Sequence, residues 1–149
     1  MSLRIFLLAA TLFASNAAAD DSADRARLGG AWQVQDEAGK VSAVWILEEK
    51  TDTVHVTNLQ GDQKVAEFEC NTVGRECEMK DSGRPAKVSV WFSGPKLVEL
   101  ETKGSEVIKR RFQVAGQGDT MQLEVISIVP DGRTETKMLK RVEASTSKR

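Results

Sequence analysis

Short runs that alternate apolar and polar residues, cut at close intervals by turn residues, constrain this chain more than any other feature. Ten segments follow one another: Ala31–Gln35, Ala43–Glu49, Thr53–Leu59, Lys64–Cys70, Glu76–Lys80, Lys87–Ser93, Lys96–Lys103, Glu106–Ala115, Thr120–Val129 and Glu135–Val142. Between them stand "DEAGK", "KTD", "QGD", "NTVGR", "DSGRP", "SGP", "KGS", "AGQGD" and "PDGR". Glycine, aspartate and proline recur there because tight turns need a positive or a preset φ. A period of two sets Val54 and Val56 against Thr53, His55 and Thr57, and Ala66, Phe68 and Cys70 against Glu67 and Glu69. It likewise sets Val88, Val90 and Phe92 against Ser89, Trp91 and Ser93, and Met121, Leu123 and Val125 against Gln122 and Glu124. One apolar and one wet face per strand predicts an all-β fold. It is an antiparallel up-and-down meander of about 8–10 strands, closed as a small barrel or folded as a sandwich. The parity slips at Val125–Ile126, which calls for a β-bulge or for a strand covered on both sides.

The first residues carry a different signal. "MSLR" supplies one positive charge, "IFLLAATLFA" is an apolar run, and "SNAAAD" ends in small residues. That is the pattern of a secretory signal over residues 1–19, too short and wrongly flanked for a membrane span. The expected division is a signal peptide at 1–19, one β-domain at 20–144 and a disordered polar tail at 145–149. The mature protein is then exported, periplasmic or secreted, with no membrane span. Losing Arg4 with the signal takes the formal charge from −1 to −2. Acidic and basic residues are interspersed, so there is no field to steer nucleic acid or an anionic membrane, and a nucleic-acid module is excluded. In an oxidising compartment Cys70 and Cys77, an even pair across a short loop, are expected to form a disulfide. Two thiols and the single His55 do not supply a zinc site, so no metal and no cofactor is expected.

The stretch "RARLGGAWQVQD" opens the first strand after "SADRARL", which can make one helical turn. Gly30-Ala31-Trp32 matches the G-x-W signature with which lipocalin-like barrels begin, and on that tripeptide, together with "LKRV" near the end, the chain resembles that family. It is also similar, from Gly30 to Val142, to lipocalin-like proteins exported by bacteria. The resemblance implies a closed barrel whose tryptophan, Trp32, plugs one end, with a basic residue of the last strand stacked over it. Arg141 is the candidate, ahead of Lys140. Gly30 then serves a tight turn into the barrel floor. Related fatty-acid-binding barrels hold a carboxylate with an R-x-Y group. This chain has Arg141-Val142-Glu143 and no tyrosine, so that chemistry does not carry over.

Arg110 shares strand parity with Ile108, Phe112 and Val114, so it should point where its neighbours are buried. Two readings follow: an anchor for an anionic head group, or an internal ion pair or snorkelling side chain. With Arg110, the expected ligand-lining set is Val54, Val56, Phe68, Val88, Val90, Phe92, Ile108, Phe112, Leu123 and Val125. Glu99 and Glu101 read as a solvated face. His55 falls on a wet face, and no Ser-His-Asp or Cys-His arrangement can be built around it, so no catalytic residue is assigned and the chain is not read as an enzyme. Trp91 lies opposite the apolar parity, while Trp45 sits in the unbroken run "VWIL". Each fits either flank packing or a partner surface. "LETKG", Leu100 to Gly104, is similar to the T-K-G element of periplasmic lysozyme inhibitors, but the preceding tyrosine is missing and an ordinary hairpin turn accounts for it. The expected function is binding of a small apolar or amphipathic ligand. The alternative is a protein-binding barrel, such as an inhibitor of a periplasmic hydrolase.

Overall fold

A computed structural model describes residues 17–35, 41–81 and 83–143. A helix, α1 (Ala17–Ala26), precedes ten strands: β1 (Gly30–Gln35), β2 (Val41–Glu49), β3 (Thr53–Gln60), β4 (Gln63–Asn71) and β5 (Cys77–Asp81), then β6 (Ala86–Ser93), β7 (Lys96–Lys103), β8 (Glu106–Ala115), β9 (Thr120–Val129) and β10 (Thr134–Val142). Each strand pairs antiparallel with its neighbour in sequence, and β1 pairs with β10 to close the barrel. The meander forms because one face of nearly every strand is apolar and the turns are too short for crossovers. Closure removes the two unpaired edges that an open sheet would leave. The helix is longer than the single turn expected from "SADRARL" and reaches back to Ala17. The signal segment lies largely outside the described residues, as does the 145–149 tail.

The interior is built from the expected parity. Val54, Val56, Phe68, Cys70, Val88, Val90, Phe112, Met121, Leu123 and Leu139 are all buried. The irregularity anticipated near Val125–Ile126 is a bulge slightly further on. Val107 pairs with Val129 and Ile108 with Ser127, so β9 carries one extra residue, Ile128. Val125 and Ile126 are both half-buried, on opposite faces of the strand. A second shift, between Asn58 and Leu59, leaves Val65 as the extra residue on β4.

One end of the barrel is shut. Trp32 is fully buried, and its indole N–H donates to the carbonyl of Leu28 at 2.9 Å. The guanidinium of Arg141 lies 4.1 Å from the centroid of the Trp32 ring. It donates to the carbonyls of Gly29 (2.7 Å), Arg27 (2.6 Å) and Gly118 (2.9 Å). Gly30 has φ 128°, and a Cβ there would come within 2.6 Å of Nη1 of Arg141. Only glycine admits both that backbone and that arginine. Arg25 of α1 donates to the carbonyl of Gly94 and stacks 4.8 Å over Phe92, which ties the helix across the same end. Arg141, not Lys140, is the basic residue of the floor.

Cys70 and Cys77 form a disulfide with their Cα atoms 5.8 Å apart. The bond joins β4 to β5 where their ladder is incomplete, since the paired residues are Ala66 with Asp81 and Glu67 with Lys80. A covalent link there stands in for ladder hydrogen bonds and shortens the free loop of the unfolded chain.

Candidate functional site

Toward the opposite end the interior is not filled. A cavity of about 230 Å³ lies between β2, β3, β4, β5, β7 and β8. Its apolar wall is Trp45, Val56, Phe68, Met79, Ile108 and the small Ala66, and Val65, the bulged residue of β4, lies beside them. Trp45 meets Phe112 edge to face, with the ring centroids 5.4 Å apart, so one aromatic ring backs the other. The polar lining is Asn58, Glu101 and Arg110, with Lys103 and Glu106 at the β7–β8 hairpin.

Register brings the charged residues together. Leu97, Glu99 and Glu101 of β7 face inward, and Glu99 lies directly across from Arg110 while Glu101 lies across from Ile108. Nη1 of Arg110 donates to Oε1 of Glu99 at 2.9 Å and to Oε2 of Glu101. The guanidinium also stands 5.4 Å over the Trp45 ring. Burial works against the Arg110 charge, but the two carboxylates outweigh it and hold the guanidinium more firmly protonated than usual. Glu99 has its carboxyl pushed above the ordinary carboxylate range by burial. Arg110 opposes that rise, and the neighbouring Glu101 adds to it. Oε2 of Glu99 and Oδ1 of Asn58 are buried without a hydrogen-bond partner.

One expectation is overturned here. Glu99 and Glu101 are not a solvated face: both are buried inside the barrel. Their charge suggested water, yet a cross-strand arginine makes the interior tenable for them. Arg110 points inward, as its parity predicts, and of its two readings the internal ion pair is the one formed. The other expected lining residues divide. Val56, Phe68 and Ile108 border the cavity with Arg110. Phe112 lies behind Trp45, and Val88, Val90 and Leu123 pack in the filled core, with Val125 partly buried against it. Val54 and Phe92 sit at the shut end, around a small recess with Leu28 and Leu97. Sequence reasoning missed Trp45, Asn58, Met79, Glu99 and Glu101. Parity with Leu47 marks Trp45 as inward, and parity with Leu97 marks the two glutamates, but the unbroken "VWIL" run hid the first and charge hid the second.

Outside the barrel, His55 is held between Glu67 (Nε2 to Oε1, 2.7 Å) and Glu48 (Nδ1 to Oε2, 3.3 Å). The Glu67 carboxyl is lowered by its hydrogen bonds from Lys64 and His55. Trp91 is half-buried on the outer face, where its strand partner is the buried Val98. Thr102-Lys103-Gly104 is the end of β7 and its turn, with Gly104 at φ 59°. Among the described residues no group of three or more histidine, cysteine or carboxylate side chains could hold a metal ion, and no helix is long and apolar enough to cross a membrane.

A closed ten-stranded antiparallel meander, plugged at one end by a tryptophan under an arginine, has a lipocalin-like fold. No protein-family model matches the chain, and no curated protein matches it either. Solved structures do. A Schistosoma mansoni fatty acid binding protein in complex with arachidonic acid is similar at TM-score 0.65 and 17% identity, covering 80% of this chain and 99% of that one. The REP1-NXSQ fatty acid transporter is similar at TM-score 0.64 and 14% identity, covering 80% and 98%. Secretory abundant heat soluble protein 4 from Ramazzottius varieornatus is similar at TM-score 0.62 and 16% identity, covering 78% and 96%. At such identities the likeness is one of fold.

Proposed function

We propose that this chain is an exported barrel that binds a small apolar or amphipathic molecule in the cavity beside Trp45. The observation that carries the reading is that cavity: apolar side chains over a buried polar cluster, at the end opposite the plugged floor. Its volume, about 230 Å³, lies below the roughly 300–1,000 Å³ of sites for drug-sized ligands, so the molecule is small. Two of the similar barrels are a fatty acid binding protein and a fatty acid transporter, which supports a ligand-holding role for this architecture. Export rests on residues 1–19 and agrees with the disulfide. Among the described residues that line the cavity none pairs a nucleophile with a base, which favours binding over catalysis.

Native mass spectrometry of protein purified from its own host tests the reading. The expected result is a small-molecule mass that is lost on denaturation. Protein that arrives empty, and whose Trp45 indole resonance is unmoved by any medium-chain amphiphile, counts against it. N-terminal sequencing of the exported form should start at or near Asp20. One feature favours the protein-binding alternative: Val73, 68% exposed, bridges to Trp91 on the outer flank. A protein partner retained in the same spectrum would support that reading instead.

A further inference from the structure

The polar side of the cavity holds Glu101, Arg110 and Asn58, and the fully buried Glu99 lies behind it on the same guanidinium. One guanidinium nitrogen serves both Glu99 and Glu101, and Oε2 of Glu99 is left buried and unpartnered. On the cavity wall, Oδ1 of Asn58 is unpartnered as well. At the hairpin above, Lys103 and Glu106 add one charge of each sign. Two carboxyl groups share one guanidinium, so ionising both leaves one charge unmatched in a medium where unmatched charge is costly. Burial accordingly pushes the Glu99 carboxyl above its usual range, against the pull of Arg110. A ligand carboxylate would worsen the imbalance, meeting the Glu101 carboxylate with Glu99 behind it. A donor head group would relieve it.

We infer that the cavity takes a small amphiphile whose polar end is a hydrogen-bond donor, an alkyl amine or alcohol, and discriminates against alkyl carboxylates. This rests on the reading of the cavity as a ligand site. Charge selects for the amine over the alcohol, because an ammonium supplies the missing positive charge as well as its hydrogen bonds. The alkyl part lies along Trp45, Phe68 and Met79.

Octylamine, octanol and octanoate, titrated into the mature protein by calorimetry, decide the question. The side-chain resonances of Asn58 and Trp45 report whether binding is in the cavity. Octylamine is expected to bind most tightly and octanoate most weakly, at least about tenfold apart. Glu101→Gln should narrow that gap several-fold. Should that variant fail to fold, the ligand series on the natural chain still decides. If octanoate binds in the cavity as tightly as octylamine or tighter, the donor inference is overturned and ligand binding stands. If none of the three moves Asn58 or Trp45, both readings fall together.

Discussion

The barrel holds two arginines over two tryptophans, and the pairs differ in what surrounds them. At the shut end Arg141 lies over Trp32 and spends its donors on three backbone carbonyls, with no counter-charge among those partners. Inside the barrel Arg110 stands over Trp45 and meets two carboxylates, and a buried acceptor remains unserved. The first arrangement satisfies orphan carbonyls where α1 and the β8–β9 turn converge, so its role is to close the fold. The second leaves polar atoms unmatched beside empty space. Buried networks that are complete specify structure, and those left incomplete cost stability that a fold keeps only where something else is gained. The comparison separates the scaffold from the proposed site within a single sheet.

The largest expected effect breaks the scaffold side. Trp32→Ala removes a fully buried ring and the stacking platform of Arg141, and should cost about 3–5 kcal/mol by denaturant unfolding. Trp45→Ala should cost less, because its ring already borders a cavity. Equal losses at the two tryptophans would erase the distinction between plugged floor and open site.

Next comes the site side. Arg110→Met strands Glu99 and Glu101 in the interior, a change that in buried pairs costs about 3–5 kcal/mol. Proton uptake by Glu99 should hold the loss toward the lower figure. Replacing all three, with leucine at Glu99 and Glu101, should restore most of the stability while abolishing any preference among ligand head groups. A single Arg110→Met that unfolds like the natural protein would mean the cluster is not held as a paired network.

A smaller effect belongs to the disulfide. Replacing Cys70 and Cys77 with serine should lower stability by roughly 2–3 kcal/mol, the chain-entropy value for so short a loop. The loss should appear in unfolding midpoints and leave cavity binding intact, since neither cysteine lines the cavity. Lost binding with retained stability would place the bond on the functional side of the comparison.

How much of this was legible in the sequence follows the same divide. Period-two patterning and turn residues define the meander, because strand burial is a local, alternating property. Gly30, Trp32 and Arg141 were legible through the resemblance to lipocalin-like barrels, and the close approach of Arg141 to Gly30 shows why few residue types fit there. The cavity was harder. Val56, Phe68, Ile108 and Arg110 follow from parity, but Val54 and Phe92, equally apolar, lie at the other end. Parity says which face a residue takes and nothing of its depth along the barrel. Glu99 and Glu101 were misplaced because a charge reads as solvent-facing unless its partner is known. That partner, Arg110, is supplied by the β7–β8 register rather than by any nearby residue in β7.

The smallest effect isolates Glu99 by pH. Burial raises its carboxyl in the folded protein above 4.5, its ordinary value, against the pull of Arg110 and with the push of Glu101. A raised folded value means that the neutral acid is favoured on folding. Its contribution to stability is therefore complete below about pH 4.5 and is lost as the pH rises through the folded value. Glu67 works in the opposite sense: its lowered value, set by Lys64 and His55, contributes above 4.5 and fades as the pH falls. The profile of the natural protein mixes the two, so the difference between it and Glu99→Gln is the informative quantity. That difference should move in favour of the variant as the pH rises from about 4.5 toward neutrality, whereas a floor variant such as Trp32→Phe should run parallel to the natural protein. If Glu99→Gln also runs parallel, Glu99 is not the unmatched carboxylate of the interior. The contrast between Arg141, which meets backbone carbonyls, and Arg110, which meets two carboxyl groups, would then lose its electrostatic basis.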